Sequence, residues 1–227
     1  MLTLGIDTST MTGGAALLSE HGLIGESVLN IRSTHSERLL PAIHRLLDDA
    51  EVTMGTIQGI AVATGPGSFT GLRIGMTTAK SMAYALETAV VGVTVLEALA
   101  RQFVTSRCIV VPMIDARRSE VYAQPFYGSE ALHNPWNTAL DEVLEWCSRQ
   151  SEPVLFCGDG AVLHQDTITQ TVQQAVMPPR EQRLLRSSSV AGLGRERLLA
   201  GLTSDAMALV PFYMRKSEAE MKWDAKN

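Results

Sequence analysis

The sequence predicts an α/β fold made of two related lobes, each with a mixed sheet and flanking helices. Short apolar runs typical of buried strands alternate with helical patterns along the 227-residue chain. The chain also contains an internal echo, since LTLGIDTSTMTGGAALLS begins at Leu2 and VVPMIDARRSEVYAQPFY begins at Val110. Each segment is an apolar strand that ends in Ile-Asp, followed by a polar turn and a second strand. A repeat near half the chain length favours duplication, although strand–Asp–turn–strand is also a common local pattern.

The first half contains the elements expected of one such lobe. Apolar segments predict strands at residues 2–7, 15–18, 23–31, 60–64 and 89–93. A helix begins at Thr34, because Thr34 and Glu37 have the spacing of a capping box. Its predicted apolar face consists of Leu39, Leu40, Ile43, Leu46, Leu47 and Ala50. Two further helices are predicted at residues 69–86 and 95–103.

The second half repeats this order less clearly. Strands are predicted at residues 108–115, 120–126 and 154–157, and helices at residues 140–149, 165–175 and 190–202. Glycine, proline and serine indicate loops at residues 128–137 and 177–189. We therefore predict an N-terminal lobe at residues 1–103 and a more divergent C-terminal lobe at residues 104–204. A tail at about residues 205–227 is expected to pack back on the first lobe.

Composition and charge narrow the possible functions. The chain is 45% hydrophobic and 19% charged, which is ordinary for a globular protein. Its net charge of −5 argues against broad nucleic-acid binding by this chain alone. The N-terminal LTLGIDTS lacks the features of a signal peptide, and the apolar run at residues 88–96 is too short to cross a bilayer. Cys108, Cys147 and Cys157 have no metal-like spacing, which is typical of reduced thiols in a cytoplasmic protein.

A glycine-rich turn, GPGSFTG, stands between a predicted strand and a predicted helix, with glycines at Gly65, Gly67 and Gly71. Such a turn at a helix N-terminus is suited to bind phosphate. However, a Walker motif requires Gly-Lys-Ser/Thr where this chain has GLR, and the spacing is one residue too long for a dinucleotide fingerprint. The pattern therefore favours a structural turn capped by Ser68 or Thr70 over a phosphate cradle.

The helix after this turn carries only two charges, Arg73 and Lys80. Gly75, Ala79 and Ala83 recur every four residues, and a stripe of small side chains lets helix backbones approach closely. A helix that is apolar nearly all round is buried on more than one side, either within its own chain or against a partner. We predict that a partner interface consists of Gly65, Pro66, Gly67, Ser68, Phe69, Thr70, Gly71, Leu72, Arg73, Gly75, Met76, Ala79, Lys80, Met82, Ala83 and Leu86.

The turn after the first strand is a weaker candidate for contact with a nucleotide. Asp7, Thr8 and Ser9 are followed by two glycines, and small residues allow a backbone to approach a phosphate. Two-lobed folds of the actin-like and sugar-kinase-like kind place such residues against ATP. The corresponding second turn is Arg-Arg-Ser-Glu at residues 117–120 and contains no glycine. The GDG turn at residues 158–160 is either a weak adenosine contact or a plain strand-to-helix turn.

Motifs for catalysis and metal binding are absent from the sequence. No two of the five histidines stand four residues apart, and HExxH, CxxC and GxSxG do not occur. Asp7 and Asp115 are candidates for an acid–base pair across a cleft, but each is equally a carboxylate that caps its turn. We therefore predict neither a catalytic residue nor a metal site.

Four segments together resemble the TsaB (YeaZ) family: LGIDTST from Leu4, THSERLLP from Thr34, GPGSFTGLRIGMTTAKSMA from Gly65 and IDARRSEVY from Ile114. PFYMRK in the tail is similar to that family's closing Pro-x-Tyr-x-Arg. The resemblance is specific over the first 125 residues and loose over residues 128–204. It implies an actin-like (ribonuclease-H-like, ASKHA) fold of two lobes. It also implies a noncatalytic dimerisation subunit of the machinery that forms tRNA N6-threonylcarbamoyladenosine beside the anticodon.

The resemblance further implies partners for this chain. These are TsaD, which transfers the threonylcarbamoyl group, and the ATPase TsaE, with a homodimer when TsaD is absent. It implies that this chain contacts tRNA only through the complex. It also implies that the chain has no intrinsic cofactor and no protease activity, and that ATP or ADP binds at most at an interface shared with a partner. The catalytic relatives hold a metal with an HxxxH helix, which this chain lacks. The alternative is an ATP-binding phosphotransferase or ATPase of the actin-like class, in which Asp7 positions metal-bound water while Thr8 and Ser9 contact phosphate.

Overall fold

Two mixed β-sheets with matching topology form the framework of the molecule, whose computed structural model describes residues 1–30, 35–215 and 223. The strands of the first sheet are β1 (Thr3–Asp7), β2 (Thr12–Ser19), β3 (Gly22–Asn30), β4 (Gly59–Gly65) and β5 (Ala89–Thr94), in the order β3-β2-β1-β4-β5. The second half adds β6 (Ile109–Arg117), β7 (Glu120–Ala123), β8 (Phe126–Tyr127), β9 (Glu130–Ala131), β10 (Trp136–Ala139), β11 (Val154–Cys157) and β12 (Ala175–Val176). The main path of the second sheet is β10-β7-β6-β11-β12, and β8 pairs with β6 and β9.

Strand directions also agree between the two sheets. β1 pairs antiparallel with β2 and parallel with β4, and β6 pairs antiparallel with β7 and parallel with β11. The outer strands follow the same rule, since β3 and β10 are antiparallel to their neighbours while β5 and β12 are parallel to theirs. Asp7 and Asp115 therefore occupy corresponding places near the ends of β1 and β6. This agreement supports the duplication that the sequence predicts.

Seven helices lie within the described residues: α1 (His35–Asp49), α2 (Phe69–Ala85), α3 (Val95–Arg101), α4 (Leu140–Ser148), α5 (Asp159–Leu163), α6 (Gln165–Thr171) and α7 (Ser187–Leu199). Short 3-10 turns lie at Met54–Thr56 and Arg180–Gln182. The helix expected at residues 165–175 is shorter than predicted, and the one expected at 190–202 begins three residues earlier. The predicted cap Thr34 lies outside the described residues.

α1 and α2 lie side by side on one face of the first sheet, α1 against β2 and β3 and α2 mainly against β4. Ile43 of α1 and Met76 of α2 pack there with Ile60 and Val62 of β4 in one apolar cluster. The apolar face predicted for α1 is narrower than expected, because Leu40 is 53% exposed. The α1–α2 pair therefore has an inner side that completes the core and an outer side that faces solvent.

α7 covers the opposite face of the first sheet, where it contacts β1, β2, β4 and β5. Ala61 and Ala63, whose side chains alternate with those of Ile60 and Val62, belong to the cluster that contains Val190 of α7. The predicted boundary at residue 204 is corrected here, because this helix completes the first half rather than the second. The prediction followed chain order, whereas α7 packs on the strands of the first sheet.

Two glycines allow α7 to approach the first sheet closely. A Cβ on Gly5 of β1 would lie 2.6 Å from the backbone nitrogen of Ala191, and a Cβ on Gly194 would overlap the side chain of Ala61. α3, which follows the first sheet in sequence, contacts β6 of the second sheet as well as α7. α3 therefore lies between the two sheets, and α7 packs beside it on the first sheet.

Candidate interaction site

The turn after β1 packs directly on the glycine turn that precedes α2. The Ser68 N–H donates a hydrogen bond of 2.7 Å to the Ser9 carbonyl oxygen. The Thr8 hydroxyl donates a hydrogen bond of 2.7 Å to the Gly71 carbonyl oxygen. The sequence analysis assigned these two turns to different functions, nucleotide contact and partner binding. The structure brings them into one packed unit.

Close backbone approach explains the glycines of this turn. A Cβ on Gly67 would overlap the Ser9 carbonyl oxygen, and a Cβ on Gly71 would overlap the Thr8 carbonyl oxygen. Gly75, one turn further along α2, faces the Thr8 hydroxyl in the same way. Only a residue without Cβ fits at these positions. The glycine turn is therefore used to seat α2 on the end of β1.

Asp7 is buried beneath this contact and caps its own turn. Its Oδ1 accepts a hydrogen bond of 2.9 Å from the Ser9 N–H. Burial raises the pKa of Asp7 to about 6, although hydrogen bonds from Ser9 and the nearby His35 oppose that shift. Thr8 and Ser9 are also buried. In this arrangement none of the three residues reaches a phosphate unless the turn first separates from α2.

The second half shows a similar contact between a strand end and a helix start. The Asp159 Oδ1 at the start of α5 accepts a hydrogen bond of 3.1 Å from the Asp115 N–H. Burial raises the pKa of Asp159 to about 6. A Cβ on Gly160 would lie 2.9 Å from the Met113 side chain, and Gly158 adopts a positive φ of 96°. Gly158 and Asp159 thus connect β11 to α5 in a strand-to-helix turn.

The Arg-Arg-Ser turn of the second hairpin is built without glycine, yet in a left-handed conformation. Arg117, Arg118 and Ser119 have φ values of 64°, 56° and 63°. The Asp115 Oδ1 accepts a hydrogen bond of 2.8 Å from the Arg117 N–H. Asp115 thus caps its turn as Asp7 does. The two aspartates behave as turn caps, which was the simpler of the two readings.

α2 divides the predicted interface residues between two faces. Ser68 is the N-cap, since its hydroxyl accepts a hydrogen bond of 3.2 Å from the Gly71 N–H. The residues that face the sheet of their own chain are Gly71, Leu72, Gly75, Met76, Ala79, Met82 and Ala83. The small-residue stripe is therefore corrected from a partner face to a core face, because it lets α2 pack closely on its own sheet.

The opposite side of α2 stays open to solvent. Thr70, Thr77, Ser81 and Tyr84 are exposed at helical spacing, and Tyr84 is 82% exposed. Leu40 is exposed on the neighbouring α1. We call these five residues the outer surface of the α1–α2 pair. It combines two large apolar side chains with small hydroxyl side chains, and the exposed Arg73, which binds the tail, lies between Thr70 and Thr77 at the same helical spacing.

The tail packs on the first half through Phe69, Arg73 and Lys80 of α2, which the sequence assigned to a partner interface instead. The Lys80 ammonium donates hydrogen bonds of 3.1 Å to the carbonyl oxygens of both Met207 and Leu209. The Tyr213 ring stacks on Phe69 with centroids 4.4 Å apart, and its hydroxyl accepts a hydrogen bond of 2.9 Å from Arg73 Nε. Phe69, Arg73 and Lys80 thus hold the tail. The PFYMRK motif was the available signal.

Two searches of the described residues concern metals and membranes. Across residues 1–30 and 35–215 no group of three or more histidine, cysteine, aspartate or glutamate side chains is arranged to hold a metal ion. Within the same ranges no helix combines the length and apolar character needed to span a bilayer.

Comparisons with known proteins place the chain in a family. The family model described as TsaD, tRNA N6-adenosine threonylcarbamoyltransferase, matches residues 23–223. The tRNA threonylcarbamoyladenosine biosynthesis protein TsaB of Bacillus subtilis is 37% identical over 228 residues, which cover 98% of each chain. A solved structure of YeaZ from Pseudomonas aeruginosa is 27% identical, covers 94% of this chain and 99% of its own, and superposes with a TM-score of 0.76.

More distant structures share the fold alone. The activator of 2-hydroxyisocaproyl-CoA dehydratase from Clostridium difficile, solved with bound ADPNP, is 8% identical and has a TM-score of 0.55 over 88% of this chain. Together with the two matching sheets, this likeness confirms the predicted actin-like α/β fold. The agreement with B. subtilis TsaB over nearly the whole length confirms the resemblance found in the sequence. The chain belongs to the TsaB (YeaZ) family.

Proposed function

We propose that this chain is a noncatalytic scaffold subunit in the cytoplasmic formation of tRNA N6-threonylcarbamoyladenosine. It pairs with TsaD and TsaE, and with a second copy of itself when TsaD is absent. The B. subtilis relative is named for this pathway, and the TsaD family model covers most of the chain. The observation that carries the scaffold role is the outer surface of the α1–α2 pair, where the large side chains of Leu40 and Tyr84 are exposed.

A pair of helices with an apolar outer surface is suited to a bundle with two helices of a partner. A standard interface buries about 800 Å² on each partner, an area that two helices of this length can supply. The surface includes Thr70 from the originally predicted interface set and extends it with Thr77, Ser81 and Tyr84. We expect tRNA to contact this chain only through the assembled complex.

Burial of the turn after β1 supports the noncatalytic part of the proposal. The Thr8 hydroxyl is engaged by Gly71, and Asp7 holds its own turn. An ATPase reading would require these groups to face a phosphate and a metal ion instead. We propose that ATP or ADP binds, if at all in this complex, at an interface shared with a partner.

Charge placed on the outer surface tests the scaffold role. The double variant T77R/S81R changes two exposed residues of α2, whereas the control T167R/T171R adds the same charges to exposed residues of α6. Two arginines at the centre of an interface are expected to weaken pairing with TsaD about thirtyfold or more. Light scattering of the mixtures measures the mass of the complexes, and circular dichroism verifies the fold.

Equal pairing by both double variants would contradict this placement of the interface. Metal-dependent ATP turnover by the purified chain alone, abolished in D7N, would instead support the ATPase alternative. The modification activity of the reconstituted complex then shows whether pairing is needed for function. If this chain is a scaffold, variants that no longer pair should leave the complex inactive.

A further inference from the structure

The last stretch of the described tail crosses from the first half of the molecule to the second. Ser204 forms an isolated antiparallel bridge with Val90 at the edge of the first sheet. The chain then runs along α2, where Lys80 holds two of its carbonyl oxygens. Residues 211–215 stay in contact with the start of α2 through Tyr213 and also reach the strands of the second sheet. They touch both halves at points far apart in sequence.

On the first half, these residues contact the glycine turn. The Phe212 N–H donates a hydrogen bond of 2.7 Å to the Thr64 carbonyl oxygen at the end of β4. A Cβ on Gly65 would lie 2.5 Å from the Phe212 carbonyl oxygen, so that the tail fills the space beside this glycine. The stacked Tyr213 and Phe69 rings continue the contact to the first turn of α2. The tail thus packs against the glycine turn, which covers Thr8 and Ser9.

On the second half, Met214 and Arg215 contact three consecutive strands of the sheet, β10, β7 and β6. The Asn137 side-chain amide in β10 donates a hydrogen bond of 3.3 Å to the Met214 carbonyl oxygen. Arg215 donates a hydrogen bond of 2.8 Å to the Ala116 carbonyl oxygen in β6, and its guanidinium lies 3.8 Å from Glu120. Met214 packs against the apolar cluster between the two sheets. Hydrogen bonds to a charged donor are among the stronger ones.

We propose that residues 211–215 form an interlobe latch, which fixes the orientation of the two sheets and keeps the turn after β1 closed against α2. The latch joins the glycine turn directly to β6 and β10. When the latch loses its contacts with the second half, it no longer packs firmly against the glycine turn. Thr8 and Ser9 can then separate from Gly71. This inference concerns the chain alone and does not depend on the proposed partners.

Hydrogen–deuterium exchange of the full chain tests the latch. The double variant N137A/R215M removes the two hydrogen-bonding side chains at the second half and leaves every contact with α2 in place. The control V210A truncates a side chain in the same tail that is 68% exposed. Peptides that cover residues 5–11 and 65–72 report opening of the packed turns. In the double variant we expect their amides to exchange about tenfold faster, with the control unchanged.

A second variant keeps the test decisive if the first one folds poorly. Y213A removes the stacking on Phe69 and releases the latch from the other side, so it should accelerate exchange in the same two peptides. Small-angle scattering should show a larger radius of gyration for both variants. Faster exchange confined to residues 204–215, with residues 5–11 as slow as in the wild type, would overturn the proposal and leave the tail as a simple cover for α2.

Discussion

The Thr8 hydroxyl donates a hydrogen bond of 2.7 Å to the Gly71 carbonyl oxygen, across 63 positions of the chain. This contact joins the turn that an actin-like enzyme would direct at phosphate to the helix whose apolar composition predicted a partner interface. The same turn cannot serve both purposes in one conformation. The structure of this chain uses it for packing.

The close approach at Gly71 predicts a large cost for a single methyl group. G71A should destabilise the protein by about 3 kcal/mol, because the new Cβ overlaps the backbone of Thr8. G192A in α7 is the matched control, since its Cβ would have nothing nearer than Leu18 at 4.0 Å. That change should leave stability equal or raise it by about 0.5 kcal/mol. Urea unfolding gives both values, and equal stability of the two variants would refute the packing argument.

Glu26 anchors the start of α7, and its removal should be costly. Its buried carboxylate accepts hydrogen bonds of 2.9 Å from both the Ser188 N–H and Arg186 Nε. E26Q should lower the free energy of unfolding by about 2 kcal/mol, because the charged acceptor of Arg186 is lost. E196Q, which breaks an exposed pair with Arg101, should cost less than about 1 kcal/mol. Chemical denaturation at neutral pH compares the two, and a larger loss for E196Q would contradict this ranking.

The raised pKa of Asp7 predicts that the free energy of unfolding depends on pH. Its pKa is raised to about 6 in the folded protein, so between about pH 4 and pH 6 the native state binds more protons than the unfolded state. Its contribution to stability therefore falls as pH rises through this window. D7N removes the titration, and its stability relative to wild type should improve from pH 4 to pH 7. The improvement is about 1.4 kcal/mol for each unit by which the pKa is raised.

Denaturation curves at several pH values measure this difference for Asp7. D205N is the control, since Asp205 is exposed in the tail. A constant difference between D7N and wild type across the window would mean that Asp7 is not protonated on burial. Asp159, whose pKa is also raised to about 6, should behave in the same direction as Asp7 when changed to asparagine.

Lys80 should control how firmly the tail lies on α2. K80M removes the donor shared by the Met207 and Leu209 carbonyl oxygens, so the segment should open more often. Cleavage by a protease in the tail should become about tenfold faster. T77M, on the exposed side of the same helix, is the matched control and should leave the rate unchanged. Equal cleavage rates for K80M and wild type would show that other contacts hold this segment.

Much of the fold follows from local patterns in the sequence. Strands such as residues 2–7 and 60–64 have unbroken apolar runs, and Thr34 to Ala50 repeats its apolar residues at helical spacing. The duplication was visible because both halves keep Ile-Asp before the first turn. The outward face of α2 was harder to predict, because small residues suit a partner helix and a close-packed sheet equally well. In the structure Gly75 faces Thr8 of its own chain, and this contact shows that Gly75 serves close packing on the sheet rather than a partner helix.

The assignment of α7 failed for a related reason. Its sequence shows little separation of apolar and polar sides, because glycines such as Gly194 are what allow it to lie on the sheet. Chain order then suggested that it belongs with the strands just before it. The tail was expected to pack on the first lobe, but the individual contacts of Tyr213 and Arg215 could not be predicted, since Arg73 and Ala116 lie 140 and 99 residues away in the chain.

The position of α7 on the first sheet has a consequence for how the chain is made. One face of the first sheet stays bare until α7 has been synthesised, and α7 ends at Leu199 of the 227 residues. Residues up to Leu199 must therefore have been synthesised before this face of the sheet can be buried. A fragment that ends at residue 103 is expected to expose an apolar sheet face and aggregate.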